Sequence, residues 1–333
     1  MTYKKISLIT CAVLVFTAGS GYSQQSTYHH TSSFNIGGSG GWDYLAVNYN
    51  KLYVSHSTQV NILDKVSGDS VGYIPNTTGV HGIAFIPSLG KGYTSNGKLN
   101  NVTVFELSSA KILSQIATGQ NPDAIMYDAF SKRLITCNGK SNDLSLIDPV
   151  TQKVTATIAV GGKPETAVSN GAGKLFVNIE DKNEIVEVDL AANKVTQHWP
   201  LGAEGPTGLA YDQDTKRLFS SCDAALIVLN AENGKVVKSI PIGDGCDGVA
   251  FDKESKLIFT SNGEGTMTVI HEMDADNYTV EGNIPTQKGA RTITIDEATH
   301  AVYLPTAEFE AAPAEGKRPA VKPGTFKVLV YQR

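Results

Sequence analysis

The sequence contains few cysteines, few charged residues and only one long apolar run. Of its 333 residues, 4 are cysteine and 18% are charged, and the net charge is −5. So few cysteines exclude a disulfide-rich scaffold. The acidic balance makes nucleic acid an unlikely partner, because phosphate contacts need a basic face. Apart from the N-terminal run, no stretch approaches the ~18 apolar residues of a membrane-spanning helix, so we expect no membrane insertion of the mature chain.

The short motifs of common catalytic sites are also absent. The sequence contains no Gly-x-Ser-x-Gly, no Walker loop, no Cys-x-x-Cys and no His-Glu-x-x-His. This absence favours a binding protein over an enzyme.

The N-terminus has the features of a signal peptide. Lys4 and Lys5 precede an apolar run over residues 6–18, and the small residues of "GSGYSQQ" follow it. We predict a signal peptide over residues 1–23 and one domain over residues 24–333. The mature protein would then be periplasmic or secreted. Export leaves three cysteines, and in an oxidising compartment Cys222 and Cys246 are the predicted disulfide, with Cys137 free.

A unit of about 42 residues recurs seven times along the chain. Each unit begins with a short strand such as "WDYLAV", "VHGIAF" or "PDAIMY", and these strands start at intervals of 38 to 44 residues. A second strand, a third strand with alternating apolar residues and a fourth strand follow. Seven such units, with 32 glycines in the chain, predict an all-β, seven-bladed β-propeller of four-stranded blades.

The seventh unit ends at Arg333 after its third strand. The segment over residues 28–38 precedes the first unit and has the pattern of a fourth strand. We therefore predict that this N-terminal strand completes the last blade and closes the ring, which removes two exposed sheet edges.

The unit "LITCNGKSNDLSLIDPVTQKVTATIAVGGKPETAV" strongly resembles the repeat of the YncE-like, or YVTN-repeat, propeller family. That repeat has a "YVTN"-type second strand, then "V-x-V-I-D" and "K-V-x-x-T-I-x-V-G-x-x-P". The resemblance covers essentially the whole mature chain. The resemblance implies an exported propeller. It implies no specific function, because the members of this family share no single reaction.

One position of the repeat changes its chemistry from unit to unit. It is the first polar residue of each innermost strand, which lies nearest the propeller axis. We predict that these residues form a ring around one mouth of the channel and bind a ligand there, with Trp42 at the rim. The ring members are Asp43, His81, Asp123, Glu165, Thr207, Asp247 and Arg291. The alternative is that they are polar only because they face channel water.

The ring suggests two further hypotheses about its ligand, a zinc-like metal ion at its histidines or a calcium ion held by Asn and Asp oxygens, as in propeller lactonases. A divalent metal is the cofactor expected for His56, His81 and Asp43, since two imidazoles and a carboxylate suit zinc or a similar ion. The alternative is that both histidines only form hydrogen bonds at a polar mouth.

Two classes of function are consistent with the sequence. The first is a monomeric, non-catalytic binding or scaffold protein that holds a small molecule or a protein partner at the channel mouth. The second is a metal-assisted hydrolase or lyase, similar to propeller lactonases, with His81 as general base. An insertion over residues 306–325, rich in Pro, Ala, Glu and Lys, emerges on the same face as a lid, a docking arm or a solvated loop.

Overall fold

The structure of the chain is a computed structural model that describes Met1, residues 27–311 and residues 319–333. Apart from Met1, the predicted signal peptide over residues 1–23 lies outside the described residues. In the described part, no helix is long and apolar enough to cross a membrane.

The described residues form 28 β-strands in seven four-stranded antiparallel sheets, which are the blades of a propeller. The prediction of a seven-bladed, all-β propeller is therefore confirmed. The strands of blades one to three are β2 Trp42–Asn48, β3 Lys51–His56, β4 Gln59–Asp64, β5 Ser70–Ile74, β6 Val80–Ile86, β7 Lys91–Asn96, β8 Asn101–Glu106, β9 Ile112–Ala117, β10 Pro122–Asp128, β11 Arg133–Asn138, β12 Asp143–Asp148 and β13 Lys153–Ala159. Those of blades four to six are β14 Pro164–Ser169, β15 Lys174–Ile179, β16 Glu184–Asp189, β17 Lys194–Pro200, β18 Leu209–Asp212, β19 Arg217–Cys222, β20 Ala225–Asn230, β21 Val236–Pro241, β22 Cys246–Asp252, β23 Leu257–Asn262, β24 Thr266–Glu272 and β25 Tyr278–Pro285.

Blade seven is built from both ends of the chain. Its strands are β26 Thr294–Asp296, β27 Ala301–Thr306, β28 Lys327–Gln332 and, on the outer edge, β1 His29–Asn35. Strand β1 pairs antiparallel with β28, from His29 opposite Gln332 to Asn35 opposite Lys327. The predicted closure by the N-terminal strand is confirmed, and its buried anchor is Phe34.

The core lies between neighbouring blades. The second and third strands of each blade are covered on both faces, so Leu144 and Val186, from blades three and four, belong to one buried cluster. The outermost strands β13 and β21 are mostly exposed, with one buried position each, because they lie at the edge of the blade. Three short 3-10 helices lie in the described part, at Pro87–Leu89, Gly97–Leu99 and Glu180–Lys182.

Ion pairs connect neighbouring blades where the innermost strands end. The carboxylate of Asp212 lies 3.1 Å from Nζ of Lys256 in the next blade. The same relationship joins blade seven to blade one, where Nζ of Lys65 lies 2.6 Å from Oδ2 of Asp296. Because these aspartates terminate the innermost strands, the pairs fasten the face opposite to the predicted ring.

Candidate functional site

The ring positions are fixed by an irregularity at the start of the innermost strands. In β2, the pairing with β3 shifts between Trp42 and Leu45, so Asp43 is not part of the regular ladder. The same shift occurs around His81, Asp123, Glu165 and Asp247. A β-bulge re-aims side chains at a strand end, and here it occurs where the innermost strands meet the channel mouth.

Buried polar groups on the second strands hold the ring backbone in place. The Ser95 hydroxyl donates to the carbonyl oxygen of Asp123 in the next blade. Ser261 donates to Arg291 O at 2.6 Å, and the Asn178 amide donates to Thr207 O at 2.9 Å. Each bond crosses a blade boundary and ends on a ring residue. The ring is therefore preorganised by the fold.

One side of the mouth brings together Asp43, His81 and Asp123. Nδ1 of His81 lies 2.5 Å from Oδ2 of Asp43 and 3.6 Å from Oδ1 of Asp123. One ligand atom from each of the three residues lies within 4.8 Å of the other two. Oδ1 of Asp123 is buried and has no hydrogen-bond partner among the described residues.

The other ring carboxylates have cationic partners. Arg291 donates from Nε to Oδ2 of Asp247 at 2.7 Å and from a terminal nitrogen to Trp42 O at 3.1 Å. Oε2 of Glu165 lies 3.1 Å from Nζ of Lys163. Thr207 differs from the rest, because its hydroxyl donates to Cys246 O at 2.8 Å and so serves the contact between blades.

Burial and mutual repulsion raise the pKa of the ring carboxyls. Burial, followed by the charges of Asp43 and Asp247, raises the pKa of Asp123 well above its ordinary value. Burial and Asp123 raise the pKa of Glu165 to about 9. Burial and Asp43 also raise the pKa of Asp247, although Arg291 opposes them. A proton or another cation is therefore favoured in this mouth.

Tyr44 lies directly after the ring residue of blade one and crosses the channel. Its phenol oxygen lies 3.3 Å from Oγ1 of Thr166 in blade four. Burial raises the pKa of Tyr44, and the ring carboxylates raise it further, with Asp123 and Glu165 contributing most. A cavity of about 180 Å³ is lined by Tyr44, Ile125 and Cys137.

A cavity of about 720 Å³ opens over blades four to seven and reaches blade one. Its polar lining consists of Lys163, Glu165, Glu180, Thr207, Asp247, Lys288 and Arg291. Its apolar wall includes Trp42, Phe309 and Val321. The volume is within the range of small-molecule sites.

The insertion over residues 306–325 supplies part of that wall. Its described ends pair with each other, Phe309 opposite Val321, and Glu310 N donates to Ala320 O at 2.8 Å. The rings of Phe309 and Trp42 lie 6.0 Å apart. Trp42 is buried and stacks on Phe326, with 5.4 Å between ring centroids. It therefore packs under the insertion while it lines the cavity.

His56 lies apart from the other predicted metal ligands. Its ring packs on Phe326 with centroids 4.3 Å apart, and Nδ1 lies 3.3 Å from Oδ1 of Asn61. A Cβ atom on Gly38 would lie 2.8 Å from Cε1 of His56, so the closing segment approaches the ring closely. The structure therefore brings together His81 and Asp43 of the predicted metal ligands but not His56, and Asp123 lies beside the first two instead.

The predicted disulfide is not formed. Cys137, Cys222 and Cys246 are all free thiols and are all buried. Cys222 packs in the apolar cluster of blades four and five, whereas Sγ of Cys246 contacts Gly248 O of its own strand at 3.3 Å. These two thiols have different environments, and burial raises the pKa of Cys222 and that of Cys246 to about 12.

Several site residues were not predicted from the sequence, namely Tyr44, Lys163, Glu180, Lys288 and Phe309. Lys163 and Tyr44 lie within two residues of ring members, so a wider window around each ring position would have included them. Glu180 begins the short 3-10 helix that follows β15. Lys288 and Phe309 reach the cavity from loops whose course the repeat does not determine.

Comparisons with known proteins identify the fold alone. No known family model and no curated protein matches the sequence. Among solved structures, the chain is similar to hydrazine synthase of Kuenenia stuttgartiensis, with a TM-score of 0.69 and 14% sequence identity. The match covers 85% of this chain and 96% of that one. At this identity the likeness supports a β-propeller and carries no activity across.

Proposed function

We propose that the protein is an exported, monomeric binding protein of the YncE-like propeller type, and that its channel mouth holds a small molecule with a protonated amine. The observation that carries the proposal is the charge of the mouth. Four carboxyl groups, from Asp43, Asp123, Glu165 and Asp247, converge there, and each of the last three has a raised pKa.

A raised carboxyl pKa means that the anion lacks sufficient compensation. A ligand ammonium group placed among these carboxylates supplies that compensation, and burial strengthens the attraction. The cavity beside Glu165 and Asp247 provides room for the rest of the ligand. The aromatic wall formed by Trp42 and Phe309 suits an apolar or cationic body.

The test is calorimetric titration of the mature protein with agmatine and spermidine, two amines of different length. We expect saturable 1:1 binding that Glu165→Gln weakens several-fold. The matched control is Glu232→Gln, because Glu232 is exposed and pairs with Lys216 away from the mouth. Equal affinities in the two variants, or no saturable binding of either amine, would overturn the proposal.

A second candidate is a metal-assisted hydrolase or lyase that acts on a lactone. It is favoured by the closeness of His81 to two carboxylates. In this candidate His81 is the general base, so its Nδ1 cannot at the same time ligate the metal. Turnover of simple lactones that His81→Gln abolishes would support this candidate, whereas turnover that survives the substitution would contradict it.

A further inference from the structure

We infer that Asp43, His81 and Asp123 form a binding site for one first-row divalent metal ion such as Zn²⁺. The inference rests on the proposed function, because it names the cation for one side of the same mouth. It does not require that the organic ligand bind first.

The distances suit a metal of this size. Ligand atoms around a tetrahedral zinc ion, each about 2.0 Å from the metal, lie roughly 3.3 Å from one another. The separation of 3.6 Å between His81 Nδ1 and Asp123 Oδ1 is close to this value. The shorter contact of 2.5 Å between His81 and Asp43 must lengthen by less than 1 Å. Side-chain rotation alone supplies such a change.

The unpartnered oxygen of Asp123 is an independent sign that these residues bind a cation. Asp123 is 7% exposed, and its Oδ1 has no hydrogen-bond partner among the described residues. Buried carboxylate oxygens are nearly always paired, because an unpaired one is costly. This oxygen faces Nδ1 of His81, and a metal ion between them would satisfy both groups.

The surrounding fold holds the three residues in place. The backbone N–H of Asp43 donates a hydrogen bond to Ser55 Oγ at 2.9 Å, and the carbonyl oxygen of Asp43 accepts one from Thr292 Oγ1 at 2.7 Å. The carbonyl of Asp123 accepts a hydrogen bond from Ser95. A Cβ atom at Gly97 would lie 2.7 Å from Nε2 of His81, so the glycine leaves the space that the imidazole occupies.

The donor set indicates which metals fit. Calcium and magnesium prefer oxygen ligands alone, whereas one imidazole with two carboxylates suits zinc, manganese or ferrous ions. The His81 side chain is 26% exposed, so solvent or a ligand group can reach the metal at a remaining coordination position. The site is thus a three-residue site with an open position.

The experiment is calorimetric titration of chelator-treated mature protein with Zn²⁺. We expect one ion per chain, with affinity lowered at least about tenfold by His81→Gln and by Asp123→Asn. Asp247→Asn is the matched control, since it removes an equal charge from the ring but not from the cluster. Asp247→Asn should keep the zinc affinity within about twofold of the wild-type value. Circular dichroism confirms that each variant is folded, and the visible spectrum of the Co²⁺-loaded protein reports loss of the imidazole ligand in His81→Gln.

Three results would overturn the inference. The first is the absence of saturable zinc binding. The second is an equal loss of zinc affinity in Asp123→Asn and Asp247→Asn, and the third is an unchanged cobalt spectrum in His81→Gln. Agmatine binding without zinc binding would refute the metal site and leave the proposed function intact. Zinc binding that depends on His81, without amine binding, would refute the proposed amine ligand and support the metal site.

Discussion

Arg291 donates a hydrogen bond from Nε to Oδ2 of Asp247 at 2.7 Å, whereas Oδ1 of Asp123, in the same ring, has no donor among the described residues. The four ring carboxylates are therefore not equivalent. Glu165 lies beside Lys163, and Asp43 lies beside His81. The negative charge of Asp123 is therefore the least compensated of the four.

This difference predicts opposite effects on stability. Asp123→Asn should leave the melting temperature equal or higher, because it removes repulsion and breaks no hydrogen bond of the carboxylate with the described residues. Asp247→Asn should lower the free energy of unfolding by about 1 kcal/mol, because it leaves a half-buried Arg291 unpaired. Thermal unfolding at pH 7 measures both. A larger loss in Asp123→Asn than in Asp247→Asn would contradict this view of the ring.

Glu165 should make stability depend on pH in the alkaline range. Its pKa is raised to about 9 by burial and by Asp123, so the folded state retains a proton that the unfolded chain loses above about 4.5. Its contribution is therefore full at low pH and disappears as pH rises towards 9. We expect Glu165→Gln to raise the melting temperature at pH 9 by about 2 °C or more relative to the wild type, and by less at pH 5. An equal change in melting temperature at pH 5 and at pH 9 would contradict the raised pKa of Glu165.

The closing strand should be needed for stability. Phe34 is buried in the cluster that joins β1 to blades seven and one, so Phe34→Ala should cost about 3–5 kcal/mol. His29→Ala, at an exposed position of the same strand, serves as the control and should change stability by less than about 0.5 kcal/mol. Denaturant unfolding gives both values. A small loss in Phe34→Ala would mean that the ring does not depend on β1.

The ion pair between Lys65 and Asp296 should contribute to closure on the opposite face. Both side chains are largely buried, so Lys65→Met should cost about 3 kcal/mol by leaving Asp296 unpaired. Lys216→Met is the control, because Lys216 and Glu232 form an exposed pair with the same separation of 2.6 Å. Equal stabilities for the two variants in urea would show that burial of the pair has no effect.

Gly97 offers a test of how His81 is positioned. Gly97→Ala would place a methyl group against Nε2 of His81 and should weaken Zn²⁺ binding several-fold while leaving the fold intact. Gly41→Ala is its control, since an added Cβ there meets no atom within 4 Å. Unchanged zinc affinity in Gly97→Ala would mean that the imidazole does not need this space.

The repeat predicts most of the fold. Each unit buries its second and third strands between neighbours, so apolar alternation recurs, and the missing fourth strand of unit seven indicates closure by β1. The ring positions followed for the same reason, because they occupy one place in a repeated strand. Strands β7, β11 and β23 each end in an asparagine. Its amide, as at Asn138, donates within the blade, which explains the recurrence of this residue without a ligand.

Contacts that break the repeat could not be predicted in the same way. His56 occupies a strand end equivalent to Asn96, yet it turns to Phe326 and Gly38, residues that belong to the closure of the ring. Cys222 and Cys246 lie in adjacent blades, but sequence spacing does not reveal which way each thiol points. The pairing of the insertion through Phe309 and Val321 depends on residues without periodicity.

A cationic ligand in the channel mouth is best tested by a crystal structure of the mature protein with agmatine and Zn²⁺. We expect the amine between Glu165 and Asp247, with an anomalous zinc peak among Asp43, His81 and Asp123. Ligand density confined to the opposite face or to the outer strands, with only solvent at the mouth, would contradict it.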